Sequence, residues 1–215
     1  MAVAADPHAG QPVLRSGPPP EDARLVAILL HGRGASAEDI LGLAHQFTAS
    51  DVAYVAPQAA RSTWYPYSFL APIPENEPWL GSALRVVAGL VEDLNQQGIP
   101  SDRLVVMGFS QGACLTLEFA ARHARRYAAI VAFTGGLIGP PGSPRDYVGD
   151  FAGTPVFIGS SDVDPHVPLE RVREATVVFR RLGATVDERI YPRMGHTINA
   201  DELEAVDGLL AGRRH

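Results

Sequence analysis

The chain is poor in the residues that would mark several large protein classes. It has one cysteine, Cys114, in 215 residues. That excludes an internal disulfide and any metal site built on several thiolates. No apolar run approaches the ~20 residues needed to span a bilayer, so a membrane span is not expected. Basic residues form no cluster and the formal net charge is −6. A nucleic-acid partner would therefore lack the phosphate attraction that supplies most of its affinity. The first ten residues carry neither a basic leader nor an apolar stretch, unlike a secretory signal, which leads us to expect a cytoplasmic protein.

What is present is an ordinary globular composition, 46% hydrophobic and 20% charged, in a length suited to one domain. Residues 1–23, which include Pro18-Pro19-Pro20, lack apolar periodicity and read as an irregular arm ahead of a single domain over 24–215. Continuous aliphatic runs then alternate with stretches of helical spacing. Strands are expected at Leu25–Leu30, Val52–Ala56, Arg103–Phe109, Tyr127–Thr134, Pro155–Gly159 and Thr185–Tyr191. Helices are expected at Ala37–Ala49, Gly81–Gln97, Gln111–His123, Leu169–Leu182 and Asn199–Leu210. This alternation implies an α/β fold, a mostly parallel sheet covered on both faces, with chemistry at the carboxyl ends of the strands.

Gly108-Phe109-Ser110-Gln111-Gly112 matches G-x-S-x-G. With 21 glycines in the chain, the bare pattern arises by chance about 0.1 times, so its placement between an expected strand and an expected helix carries more weight. There a serine sits on a strained elbow that lifts its hydroxyl clear of the sheet. A bland alternative is a glycine-rich turn with a helix-capping serine.

A serine hydroxyl needs a base to take its proton. Of seven histidines, His8 and His215 lie near the termini, His45 and His123 fall in or at the end of expected helices, and His31 precedes a glycine-rich loop. Only His166 and His196 complete the order Ser, Asp, His used by this class of fold, and the loop histidine His196 is the better candidate. For the acid that orients it, Asp162 and Asp164 serve equally on spacing alone. A rival reading takes Asp162, Asp164 and His166 as metal ligands.

The tetrahedral intermediate of acyl transfer needs two N–H donors, expected from the backbone of Gln111 and Arg33. Gly32 and Gly34 would leave room for the substrate. Gly32-Arg33-Gly34-Ala35-Ser36-Ala37 also matches the dinucleotide-binding fingerprint, but Ala56-Pro57-Gln58 stands where that fold wants an acid for the ribose. The aperiodic stretch Arg61–Leu80 holds Trp64, Tyr65, Tyr67, Phe69, Leu70 and Trp79 among four prolines. It reads as a stiff wall beside the site, with Trp64, Phe69 and Leu70 as substrate contacts favouring short acyl chains. The alternative is packing on the sheet edge or in a homodimer contact.

Taken together, His31-Gly32-Arg33-Gly34, Gly108-Phe109-Ser110-Gln111-Gly112-Ala113, Asp164-Pro165-His166-Val167-Pro168 and Gly195-His196 resemble the phospholipase/carboxylesterase family of α/β-hydrolases. That family contains bacterial carboxylesterases and acyl-protein thioesterases, and the likeness runs from about residue 25 to 210. It implies an α/β-hydrolase fold with no inserted cap domain, no cofactor, and a small-molecule ester as substrate. It makes Asp164 the acid and supports Arg33 and Gln111 as oxyanion donors, with thioesterase or lysophospholipase activity as alternatives on the same residues. Arg33 departs from the aliphatic residue usual in acyl-protein thioesterases, and the Trp64–Phe69 tract looks closer to bacterial esterases. A dienelactone-type hydrolase would place cysteine at the elbow, four residues before Cys114.

Overall fold

A computed structural model describes residues 6–212. Residues 1–5 of the expected arm and His215 lie outside them. Seven strands form one sheet in the order β1-β3-β2-β4-β5-β6-β7. They are β1 Val13–Ser16, β2 Leu25–Leu30, β3 Val52–Pro57, β4 Leu104–Phe109, β5 Ala129–Phe133, β6 Pro155–Ser161 and β7 Thr185–Tyr191. All neighbouring pairs are parallel except β1 with β3. The helices are α1 Ala37–Leu41, α2 Trp79–Gln96, α3 Gln111–Arg122, α4 Leu169–Arg181 and α5 Ala200–Leu210. This is the α/β-hydrolase fold.

The aliphatic runs are continuous because both sheet faces are covered, and alternate residues divide between two cores. Val26, Ile28 and Leu30 of β2 join the cluster holding Val87, Leu115 and Phe179 of α2, α3 and α4. Leu25, Ala27 and Leu29 join Ile40 of α1 and Val206 of α5 on the other face.

Two local expectations need correction. The helix expected over Ala37–Ala49 stops at Leu41 and gives way to a 3-10 turn over Gly42–Gln46. The arm is not irregular throughout. Leu14 and Ser16 pair with Ala56 and Tyr54 at the sheet edge, and His8 is buried between Trp64 and Trp79 with ring centroids 5.5 and 5.4 Å away. The Ala60 N–H donates to His8 Nδ1, so His8 Nε2–H is the donor to Trp64 O at 3.0 Å.

Beyond β7, the loop 192–198 leads to Asn199, which caps α5. Asn199 Oδ1 accepts the Glu202 N–H and Glu202 Oε2 accepts the Asn199 N–H, a reciprocal pair that satisfies two free amides of the helix start. Glu202 is fully buried, lying against Gly159 so closely that a Cβ there would strike its carboxylate. Burial raises its pKa to about 7 against the pull of the Asn199 N–H.

A carboxyl whose folded pKa lies above its ordinary 4.5 stabilises the protein fully below that ordinary value. The contribution is lost as pH rises through about 7. Glu202→Gln, a mimic of the protonated acid, should therefore leave the unfolding temperature unchanged near pH ~4. It should raise it near pH ~8 by several degrees, at about 2–4 °C per kcal/mol for a chain of this size. Thermal unfolding across that range checks this, and a pH-independent difference would contradict it.

Candidate active site

Strand β4 ends one residue before Ser110, and α3 begins one residue after it. Ser110 takes φ 56° and ψ −116°, a conformation that a side chain makes costly. Close packing over-determines it. A Cβ on Gly112 would collide with the carbonyl of Leu30, and one on Gly108 with the backbone of Gly112. The helix start is thereby pressed against the ends of β2 and β4. The Ser110 N–H donates to Phe133 O at 3.0 Å, and its carbonyl accepts the Cys114 N–H.

His196 comes to this elbow from the loop after β7. Its Nδ1 lies 2.7 Å from Asp164 Oδ2 and its Nε2 2.7 Å from Ser110 Oγ. A carboxylate can only accept, so the hydrogen sits on Nδ1 and Nε2 presents its lone pair to the serine hydroxyl. Asp164 is inaccessible at its side chain, and its other oxygen accepts the His166 and Val167 amides at 2.8 and 2.9 Å. Burial opposes ionisation of Asp164. The hydrogen bonds from His196 and these two amides outweigh it and hold the carboxyl below its usual range.

Asp162 is placed elsewhere, where its Oδ1 accepts the Arg193 N–H at 2.7 Å. The three candidate metal ligands thus divide. Asp164 spends both oxygens on the chain, Asp162 is tied to the loop after β7, and His166 stands edge-on to His196 with ring centroids 4.8 Å apart.

A cleft of about 620 Å³ opens over Ser110 and His196. Gly32 and Phe69 line it as expected, and a Cβ on Gly32 would press on Phe109 at 3.3 Å. Three expected contacts do not line it. Trp64 is fully buried, its indole N–H donating to His31 O and its backbone N–H to Gln111 Oε1. Leu70 packs on the core beneath α2, α3 and α4. Gly34 is glycine for its φ of +80° rather than for space, since a Cβ there meets nothing within 4 Å, and its N–H is taken by Ser62 O. Tyr65, Cys114, His166 and Val167 line the cleft instead. Of these, His166 and Val167 were signalled by their place beside Asp164. Tyr65 belonged to the aromatic stretch read as the wall but was not singled out as a contact, and Cys114 had no signal.

The amides of Arg33 and Gln111 find no acceptor among the described residues, as is usual for Gln111 in the first turn of a helix. His31 orients the first of them. The Ala59 N–H donates to His31 Nε2 at 3.1 Å, which leaves Nδ1–H to donate to Gly32 O at 2.8 Å. Burial lowers the His31 pKa and keeps the ring neutral for this task. Because the Gly32 carbonyl and the Arg33 N–H belong to one planar peptide, fixing the first aims the second.

Both residues also send side chains to one segment of the wall. Arg33 Nη1 donates to Thr63 Oγ1 and Pro66 O and its Nη2 to Tyr67 O. Gln111 Nε2 donates to Tyr65 O at 2.8 Å.

In the glycine fingerprint at Gly32–Ala37, the amides of Gly34, Ala35, Ser36 and Ala37 are already taken, so the helix start has little to offer a pyrophosphate. The Ala37 N–H donates to Gln58 Oε1, and Ser36 and Asp39 cap one another.

The geometry agrees with the comparisons. The family model for phospholipase/carboxylesterase matches residues 16–211, and the chain belongs to that family. A crystal structure of a phospholipase/carboxylesterase from Dyadobacter fermentans is 44% identical with a TM-score of 0.90, covering 94% of this chain and 97% of that one. A Bacillus cereus carboxylesterase is 19% identical with a TM-score of 0.75, covering 96% of each chain, and shows the fold alone. Acyl-protein thioesterase 1 of Neurospora crassa is 28% identical over 133 residues, 58% of this chain and 51% of that protein. The chain spans about half the length of the curated relatives it matches.

Gly112→Ala should lower the unfolding temperature by several degrees or more, since the new methyl meets backbone that cannot move aside. Gly89→Ala, in the middle of α2 with open space around it, should be neutral or stabilising by up to about 1 kcal/mol. Equal effects of the two in thermal unfolding would contradict this account of the elbow.

Proposed function

We propose that the protein is a serine carboxylic ester hydrolase that works through an acyl-enzyme on Ser110. The observation that carries this is the unbroken hydrogen-bond chain Asp164–His196–Ser110, ending on a hydroxyl that lines the cleft.

Ser110 Oγ attacks the ester carbonyl as His196 Nε2 takes its proton. The imidazolium so formed is stabilised by Asp164, which stays ionised because its pKa is held low. The developing oxyanion receives the N–H groups of Arg33 and Gln111. His196 then gives its proton to the departing alcohol. A water deprotonated by the same ring attacks the acyl-enzyme and releases the acid.

In this reading the substrates carry short acyl groups, because the cleft is bordered by large side chains that cannot move aside. Phe69 and Tyr65 form its wall and Cys114 contributes to its lining, all nearly inaccessible and held in place. Burial lifts the Cys114 thiol to about 11 and keeps it protonated, so it serves as an apolar surface rather than a nucleophile. Thioester or lysophospholipid hydrolysis would use the same residues, but no observation at the cleft favours either.

Ser110→Ala should abolish hydrolysis of p-nitrophenyl butyrate, and a fluorophosphonate should label Ser110 alone. Asp164→Asn should cut turnover by roughly 10³–10⁴-fold, while Asp162→Asn costs far less. Residual activity within tenfold of wild type in Ser110→Ala, or the reverse order of the two aspartates, would overturn the assignment.

Acetyl to butyryl esters should exceed decanoyl esters in kcat/KM, and Phe69→Ala should move that optimum toward longer chains. Trp64→Ala should instead cost about 3–5 kcal/mol of stability without moving it. A wild-type preference for decanoyl esters would remove the wall from the account.

A further inference from the structure

The cleft lies in a chain with 24 acidic and 18 basic residues, yet no aspartate or glutamate lines it. Its ionisable lining residues are Arg33, Tyr65, Tyr67, Cys114, His166 and His196. Burial raises the Tyr65 and Cys114 pKa values, so both stay uncharged. Arg33 is the lining residue whose charge is permanent, and no carboxylate forms an ion pair with it among the described residues.

The guanidinium is held rather than free. Nη1 uses both hydrogens on Thr63 Oγ1 and Pro66 O, each at 2.9 Å, and Nη2 uses one on Tyr67 O at 2.6 Å. The guanidinium carbon Cζ lies 5.8 Å from the centroid of the Tyr65 ring. A guanidinium has five N–H donors, so Nε–H and one Nη2–H remain without an acceptor among the described residues. Two neighbouring N–H groups of this kind match the two oxygens of a carboxylate. With the backbone amide of the same residue as the oxyanion donor proposed above, the charge lies within one arginine side chain of the reacting carbonyl.

Holding the loop accounts for three of the five donors. A neutral donor such as a glutamine amide could tether Pro66 and Tyr67 without leaving an uncompensated charge in the wall.

We propose that the preferred substrate is an ester bearing a free carboxylate, bound through Arg33 Nε–H and Nη2–H while the Arg33 amide receives the oxyanion. This rests on the hydrolase reading above and deepens it by naming the substrate class. The guanidinium forms and breaks no bond, and its contribution is to binding and alignment. Arg33 is exposed, so the pair is screened by salt, while the three hydrogen bonds that already hold the guanidinium reduce the entropy lost on pairing.

The test uses two matched pairs of esters followed by acid release in a pH-stat. Monoethyl glutarate against ethyl hexanoate carries the anion on the acyl side. Acetylglycolate against isobutyl acetate carries it on the alcohol side. Wild type should favour the charged member of at least one pair by about tenfold or more in kcat/KM, the range of one charge-assisted hydrogen-bond pair.

That ratio should fall toward one in Arg33→Met, remain partly in Arg33→Lys, and shrink in wild type as sodium chloride is raised. A merely structural role for Arg33 would change both members of a pair alike and leave the ratio untouched. The salt series on wild type keeps the test decisive if Arg33→Met fails to fold. Faster turnover of the uncharged member in both pairs, or a ratio indifferent to both salt and Arg33, would overturn the substrate class while sparing the hydrolase. Failure to cleave any of the four esters, together with no labelling of Ser110 by a fluorophosphonate, would overturn both.

Discussion

Helix α3 starts so near the end of β2 that only hydrogen fits on the Cα of Gly112 beside the Leu30 carbonyl. Most of the site follows from this contact. Pulling the helix onto the strand leaves too little chain for a relaxed turn, and Ser110 takes up the difference in its left-handed φ. The same contact sets the first turn of α3, with Gln111 lining the cleft, beside Leu30 and His31 at the end of β2. The geometry of the elbow is thus a by-product of helix-on-sheet packing, which costs far more to distort than a surface loop does.

Much of the layer structure was legible because two faces of burial leave a plain trace. Six-residue aliphatic runs such as Leu25–Leu30 cannot remain solvated, and apolar spacing fixed α2, α3 and α4 to within about two residues. The elbow was legible for a steric reason, since glycine at 108 and 112 is required by contacts that any such turn must make. His196 and the pair of aspartates could be narrowed by chain order alone. The choice between Asp162 and Asp164 could not, because it depends on which carboxylate faces a loop 30 residues away. Resemblance favoured Asp164, and the 2.7 Å contact with His196 puts it beside that ring.

The misplaced contacts share a cause. In a segment without period, side-chain direction is set by distant hydrogen bonds rather than by neighbours in sequence. Trp64 turns inward because His31 O and Gln111 Oε1 accept its two N–H groups, and nothing within 61–80 announces that. His8 was set aside as terminal, although its ring is anchored to Trp64 and Ala60, 56 and 52 residues away. His31 was set aside as a flanking residue, although a neutral, buried ring is what fixes the Gly32 peptide. Gln58 was noted only as a missing acid, and its side chain turns out to occupy the helix start that a nucleotide would need.

The tether between Arg33, Gln111 and the segment Thr63–Tyr67 also bears on how such a protein can diversify. The wall and the residues Arg33 and Gln111 are one mechanical unit, so substitutions that reshape the wall will also disturb the two backbone amides, and under the proposed mechanism gains in substrate range there will be taxed in rate. The facing stretch His166–Val167 has no such linkage. Its backbone amides serve Asp164, while its side chains reach the cleft without bracing the amides. Variation that alters selectivity without moving those amides is therefore expected at Val167 and, within the limits set by its contact with His196, at His166, and the braced wall is expected to change slowly.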